Sequence, residues 1–221
     1  MTAPLVIVSS FHFLAQGVER LREFQEQAAP SFAKHQLRIE KEITVAGRGQ
    51  IGDSVNTLEQ PDLIQISTIP SLEAFQAYLN DPIVQQLAPL RAKGLRKMTA
   101  HFGPSLDLAG ICQPVRAGAT HFAAFARFKD ESGLDALFQF NKKGVESGLF
   151  PRYGIRILHL ARSIKSVAAV GGLEGDAPQG LIHFAVEDPA MMKNYLQDPE
   201  YIALAPLRDA TLDSYHFFLG A

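Results

Sequence analysis

The chain has 221 residues, 47% hydrophobic and 20% charged, with a formal net charge of -2. That length allows one large domain or two ordinary ones, and that balance excludes a disordered chain. The near-neutral charge argues against a general affinity for nucleic acid or an anionic membrane. Cys112 is the single cysteine, so no intramolecular disulfide is possible and a reducing compartment fits.

The chain opens on MTAPLVIVSSFHF, which has no basic leading segment and an apolar run broken by Ser9, Ser10 and His12. It reads as a first strand rather than a signal peptide. No apolar run approaches the ~18 residues of a membrane span. The expected location is therefore cytoplasmic. A helical stretch follows, VERLREFQEQAAPSFAKH, in which Val18, Leu21, Phe24 and Ala28 recur at three- and four-residue spacing. Then come a strand, LRIEKEITVA, a glycine-rich GRGQIG, and a third strand, LIQISTI. The helical segment SLEAFQAYLNDPIVQQLAPLRAK leads to a fourth strand, MTAHFG.

After PSLDLAGICQPVRAG at 104–118, rich in proline and glycine, the plan repeats. THFAAFARF matches the first strand, LDALFQFNKKGVE the first helix, and IRILHLARSI and LIHFAV the next two strands. At an offset of 117 residues Tyr78, Leu79, Asp81 and Pro82 fall on Tyr195, Leu196, Asp198 and Pro199. Leu87 to Arg91 falls on Leu204 to Arg208, making nine identities in positions 78–91. Phe11 falls on Phe128, Pro61 on Pro178 and Gly103 on Gly220. The chain reads as an internal duplication with repeats at 1–105 and 117–221. Each repeat runs β-α-β-β-α-β, the ferredoxin-like plan, so the fold class is α+β with helices outside antiparallel sheets.

The repeated helical segment has a mechanical reading. Asp81 and Asp198 each precede a proline and are placed to cap a helix that starts on it. Pro89 and Pro206 sit about two turns in, where a kink or restart is expected. Leu87, Leu90, Leu204 and Leu207 should face the sheet, with Arg91 and Arg208 on the flank of that face. Each arginine either ties helix to sheet through a carboxylate or binds an anion.

With these residues in view, a family resemblance is specific. LEGDAPQGLIHFAV from Leu173, then DPEYIALAPLRDA and a closing LG at 219–220, resembles the domain-of-unknown-function-1330 family. The first half resembles it through FQEQAAPSFAKH, IPSLEAFQAYLNDP, LAPLR and Gly103. That family belongs to the dimeric α/β-barrel superfamily, in which sheets from two subunits pack face to face. The resemblance implies that both sheets come from one chain here, as a pseudo-dimer, monomeric or assembled further. The superfamily includes cofactor-independent monooxygenases, isomerases, haem enzymes and plain binding proteins, and fold does not select among them. The first half departs from the pattern. It has LEQPD at 58–62 where an EGD is expected, and Ile83-Val84 where the second half has Glu200-Tyr201. If Glu174, Asp176 and Tyr201 serve a site, the second half alone has kept it.

No Walker loop, GxSxG, HExxH or CxxC occurs, and no histidine lies in a haem motif, so no cofactor is expected. GRGQIG fits GxGxxG, but DSVNTLEQPD after it opens no helix, and it reads as a hairpin loop between the second and third strands. Histidines are more informative, since each second-half strand carries one: His121, His159, His183 and His216. Ile182, Phe184 and Val186 should face the helices, which sends His183 to the opposite, intersheet face. His121 travels with Arg127, and His216 with Phe218, while the side taken by His159 is not fixed by alternation. These groups are a polar ligand pocket, a metal site, or residues satisfying one another in a barrel interface. No acidic residue on these strands supplies a second shell, so no metal is expected.

A second candidate cavity lies between sheet and helices, lined by Phe122, Phe128, Phe138, Phe184, Met191, Met192 and Tyr195, with packing alone as the competing reading. Tyr195 and Tyr78 each carry a hydroxyl that needs a partner if buried. The candidate ligand-binding set is therefore His121, Arg127, His183, His216, Tyr195 and Arg208. The function expected is small-molecule binding. The alternative is a cofactor-independent monooxygenase or isomerase on a small apolar or aromatic substrate, with His183, Arg127 and Tyr195 as its chemistry.

Overall fold

The structure is a computed structural model, and it describes residues 3–52, 58–106, 115–172 and 177–221. In chain order the elements are β1 (Leu5–Phe13), α1 (Gly17–His35), β2 (Arg38–Ile51), β3 (Leu63–Ile69), α2 (Leu72–Leu79), α3 (Pro82–Lys93) and β4 (Leu95–Pro104). Then follow β5 (Thr120–Phe128), α4 (Gly133–Glu146), α5 (Leu149–Arg152), β6 (Ile155–Arg162), β7 (Lys165–Val170) and β8 (Gly180–Val186). A 3-10 turn (Pro189–Met191), α6 (Met192–Gln197), α7 (Pro199–Asp209) and β9 (Leu212–Gly220) complete it. The fold is α+β with antiparallel strand pairing throughout. No helix among the described residues is long and apolar enough to cross a membrane.

The chain forms two compact units. The first contains Met1–Thr44, Pro61–Ser105 and Ser163–Ala177, and the second contains Val45–Gln60, Leu106–Arg162 and Pro178–Ala221. In the first, β3 lies between β1 and the leading half of β2, and β4 lies between β1 and β7. Apolar residues at alternate positions, such as Leu5, Ile7 and Phe11, meet Leu21, Phe24, Ala28, Phe75 and Tyr78 from the helices.

In the second unit β8 lies between β6 and β5, and β9 lies between β5 and residues 45–51 of β2. Its core joins Phe122, Ile182 and Tyr215 of the sheet to Leu137, Phe140 and Phe150 of the helices. The GRGQI stretch therefore lies inside β2, not in a hairpin loop as its glycines suggest. The cause is steric, because Gly49 pairs with Phe217, and a Cβ at Gly49 would collide with that ring. Only Gly52, at φ 100°, has the turn conformation the sequence reading assigned to the whole stretch.

The repeated helical segment breaks about two turns earlier than its inner prolines suggest. α2 ends at Leu79 and α6 at Gln197, and α3 and α7 start afresh at Pro82 and Pro199, each proline at the first position. Both helices then run on through Pro89 and Pro206. Asp81 Oδ1 accepts the Ile83 amide at 3.0 Å, and Asp198 Oδ1 accepts the Glu200 amide at 2.8 Å.

Candidate functional site

The sheet of the second unit separates the expected site residues onto two faces. On the helix side Ile155 and Ile157 (β6), Ile182 and Phe184 (β8), Phe122 (β5) and Tyr215 and Phe217 (β9) form the floor of a pocket of about 390 Å³. Its roof comes from Phe140 of α4, Phe150 of α5, Met192 and Tyr195 of α6, and Tyr201 and Arg208 of α7. Phe122 and Phe184 stack with ring centroids 4.7 Å apart, and Tyr195 lies 4.5 Å from Tyr201. Of the lining residues expected from sequence, Phe122, Phe184, Met192 and Tyr195 are present. Phe128 is in the packed core instead, Phe138 packs against that core, and Met191 ends the 3-10 turn.

Arg208 brings charge to this apolar space. Its side chain is 8% exposed, and its guanidinium carbon lies 4.7 Å from the Phe140 ring centroid and 5.8 Å from that of Tyr215. Its Nε donates to Asp209 Oδ1 at 2.6 Å and its Nη2 to the Tyr201 hydroxyl at 3.3 Å. Burial pulls against the charge, but the bonds to Asp209 and Tyr201 overcome it and hold the guanidinium above its usual range. The pocket thus contains a permanent cation. Burial pushes the Tyr215 phenol up to about 12 and raises Tyr195 as well, so both are neutral donors at physiological pH.

The histidines occupy the other face. His121 Nδ1 is 3.0 Å from His183 Nε2, and the His159 ring stacks on His183 at 5.5 Å. His159 reaches this face because the register shifts between Ile157 and His159, so Leu158 is an extra residue that breaks the alternation. His216 pairs with Phe125 and shares the face opposite Tyr215. Arg127 forms an ion pair with Asp213 at 3.4 Å. Tyr195 and Arg208 therefore meet in one pocket, and His121, His183 and His159 meet on the opposite face, which His216 and Arg127 share. Among the described residues no three His, Cys, Asp or Glu side chains are placed to hold a metal ion. In the first unit Gln65, which falls on Ile182 at the offset of 117 residues, lies on the helix side with Ser67. Glu174, Asp176 and Cys112 lie outside the described residues.

Sequence reasoning missed Tyr215, Phe217 and Asn141 as lining residues. Tyr215 and Phe217 belong to one of two alternating sets on β9, both with apolar members. Asn141 is buried in α4, where its amide donates to the Leu137 carbonyl at 2.8 Å.

No protein-family model and no curated protein matches the chain. Solved structures do. A candidate monooxygenase from Lactobacillus acidophilus NCFM superposes with a TM-score of 0.60 at 12% identity, over 99% of this chain and 93% of that one. An anthrone oxidase-like protein gives 0.58 at 14% identity, over 100% and 92%. A mutant chlorite dismutase from Candidatus Nitrospira defluvii gives 0.60 at 12% identity, also over 100% and 92%. These proteins share the dimeric α/β-barrel fold, and the chain has that fold.

Proposed function

We propose that the protein binds a small, flat, largely apolar molecule in the helix–sheet pocket of the second unit. The observation that carries this reading is a space of about 390 Å³ with aromatic walls and a single buried cation, Arg208. Such a space takes a ligand of one or two fused rings, burying its faces against Phe122, Phe184 and Tyr195. Arg208 would take a carboxylate, phenolate or enolate oxygen, because the low-polarity surroundings strengthen that contact.

Isothermal titration with 2-naphthoate and with neutral 2-naphthalenemethanol tests this. The expected result is saturable binding of both. Arg208→Gln should weaken naphthoate at least about tenfold and leave the neutral alcohol nearly unchanged. No binding of either compound, or equal losses for both, would overturn the reading.

A second reading is a cofactor-independent monooxygenase or isomerase. It is favoured by Asp209 lining the same pocket beside Arg208, a carboxylate able to accept a substrate proton next to a cation able to hold the resulting enolate. The neighbouring anthrone oxidase-like protein makes a fused-ring phenol the substrate class to offer. Consumption of such a compound, with or without oxygen, selects this reading over binding alone.

The same proposal includes the chain's history. Repeats 1–105 and 117–221 would be duplicated ferredoxin-like units, a pseudo-dimer in one chain, of which the second has kept the larger pocket. In support, Tyr201 of the pocket falls on Val84 of the first repeat, and Tyr215 falls on Met98.

A further inference from the structure

The first unit has its own helix–sheet pocket, of about 90 Å³, in the place equivalent to the large one. Arg91 lines it from α3, as Arg208 lines its counterpart from α7. The two arginines share a ring contact, since the guanidinium carbon of Arg91 lies 4.9 Å from the Phe24 centroid. They differ in their partners. Arg208 gives its Nε edge to Asp209, but at the offset of 117 residues the position of Asp209 is held by Ala92. Arg91 Nε is buried and has no hydrogen-bond partner among the described residues. Burial there works against the charge, and the Tyr78 phenol offsets it only in part.

A guanidinium cannot give up its proton at ordinary pH, so a buried edge without an acceptor is a standing cost. The opposite wall does not relieve it. Gln25 Nε2 donates to Gln65 Oε1 at 2.9 Å, and Gln65 Nε2 donates to Ser67 Oγ at 2.9 Å, so these groups satisfy one another. The geometry points to a small monocarboxylate, of formate to propionate size, as the ligand of this pocket. One of its oxygens would accept from Arg91 Nε, as Asp209 Oδ1 accepts from Arg208 Nε in the other unit. Its alkyl end would lie against Phe24 and Met98. The volume sets the size limit, because a cavity of ~150 Å³ is what admits benzene.

The test is calorimetric unfolding of the whole protein at constant ionic strength, with bulky gluconate replaced stepwise by acetate or formate. The wild type should show a saturable rise of about 2–4 °C in unfolding midpoint. Ala92→Asp supplies the missing carboxylate from the chain itself and should abolish that rise while folding normally. Arg91→Gln should abolish it too. A wild-type midpoint that does not respond to either anion would overturn the proposal. So would an undiminished rise in Ala92→Asp, which also keeps the test decisive if Arg91→Gln fails to fold.

Discussion

Gly49 sits beneath the ring of Phe217, and Phe217 forms part of the floor of the large pocket. A side chain at residue 49 must push that ring toward the space a ligand would use. Gly49→Val is expected to destabilise the protein by about 1–3 kcal/mol, the usual cost of overpacking, and to weaken naphthoate binding. Gly172→Val is the control, because a Cβ there meets nothing within 4 Å, and its effect should stay within about 0.5 kcal/mol. Urea midpoints of the two variants check this. The same residue shows what sequence could and could not say. A glycine pattern normally marks a turn, and only the partner strand reveals that Gly47 and Gly49 make room for Leu219 and Phe217. Tyr195 and Arg208 were visible because the repeated motif singled them out. Tyr215 was not, because its strand is apolar on both faces. His159 could not be assigned to a face because a bulge, invisible in a two-residue period, turns it over.

At the scale of elements, the two units share one device. A single aspartate caps a helix with one oxygen and ties down the end of an earlier helix with the other. Asp81 Oδ2 binds Lys34 Nζ and His35 Nε2, each at 2.9 Å, at the end of α1. Asp198 Oδ2 accepts from Arg152 Nη1 at 2.9 Å and from the Tyr153 hydroxyl at 2.8 Å, at the end of α5. The capping half of this device was legible in the Asp-Pro pair. The other half joins residues 46 positions apart and was not. In Asp198 the Tyr153 hydroxyl, then the Glu200 amide, hold the carboxyl below its ordinary range. A lowered carboxyl contributes stability that is present above its unfolded pKa and is lost as pH falls through the folded one. Asp198→Asn keeps a capping oxygen but loses the charge, and Asp198→Ala loses both. The unfolding midpoint near neutral pH should therefore fall in the order wild type, Asn, Ala. As pH drops below the carboxylate range, the gap between wild type and Asn should close. Thermal melts across that acid range check the order and the convergence.

At the scale of the whole molecule, the sequence repeats and the compact units do not coincide. The offset of 117 residues divides the chain into 1–105 and 117–221, yet Val45–Gln60 belongs to the second unit and Ser163–Ala177 to the first. The repeats are read from identities at one sequence offset, whereas a unit is defined by which strand completes which sheet. The repeat pattern has no access to that second fact. Residues 45–51 pair with Tyr215–Gly220, and β7 pairs with Met98–Phe102. A fragment 117–221 would thus expose the β9 edge, with Phe217 no longer covered from that side, and a fragment 1–105 would expose the β4 edge. Unpaired edges carry unsatisfied amides and carbonyls and invite association. The expected outcome is that each fragment alone is aggregated or poorly dispersed in amide NMR spectra. Mixed after refolding together, the two fragments should give the dispersed spectrum of the intact chain, because every strand then has its partner. Native-like spectra from the separate fragments would instead mean that each repeat completes its sheet from its own residues.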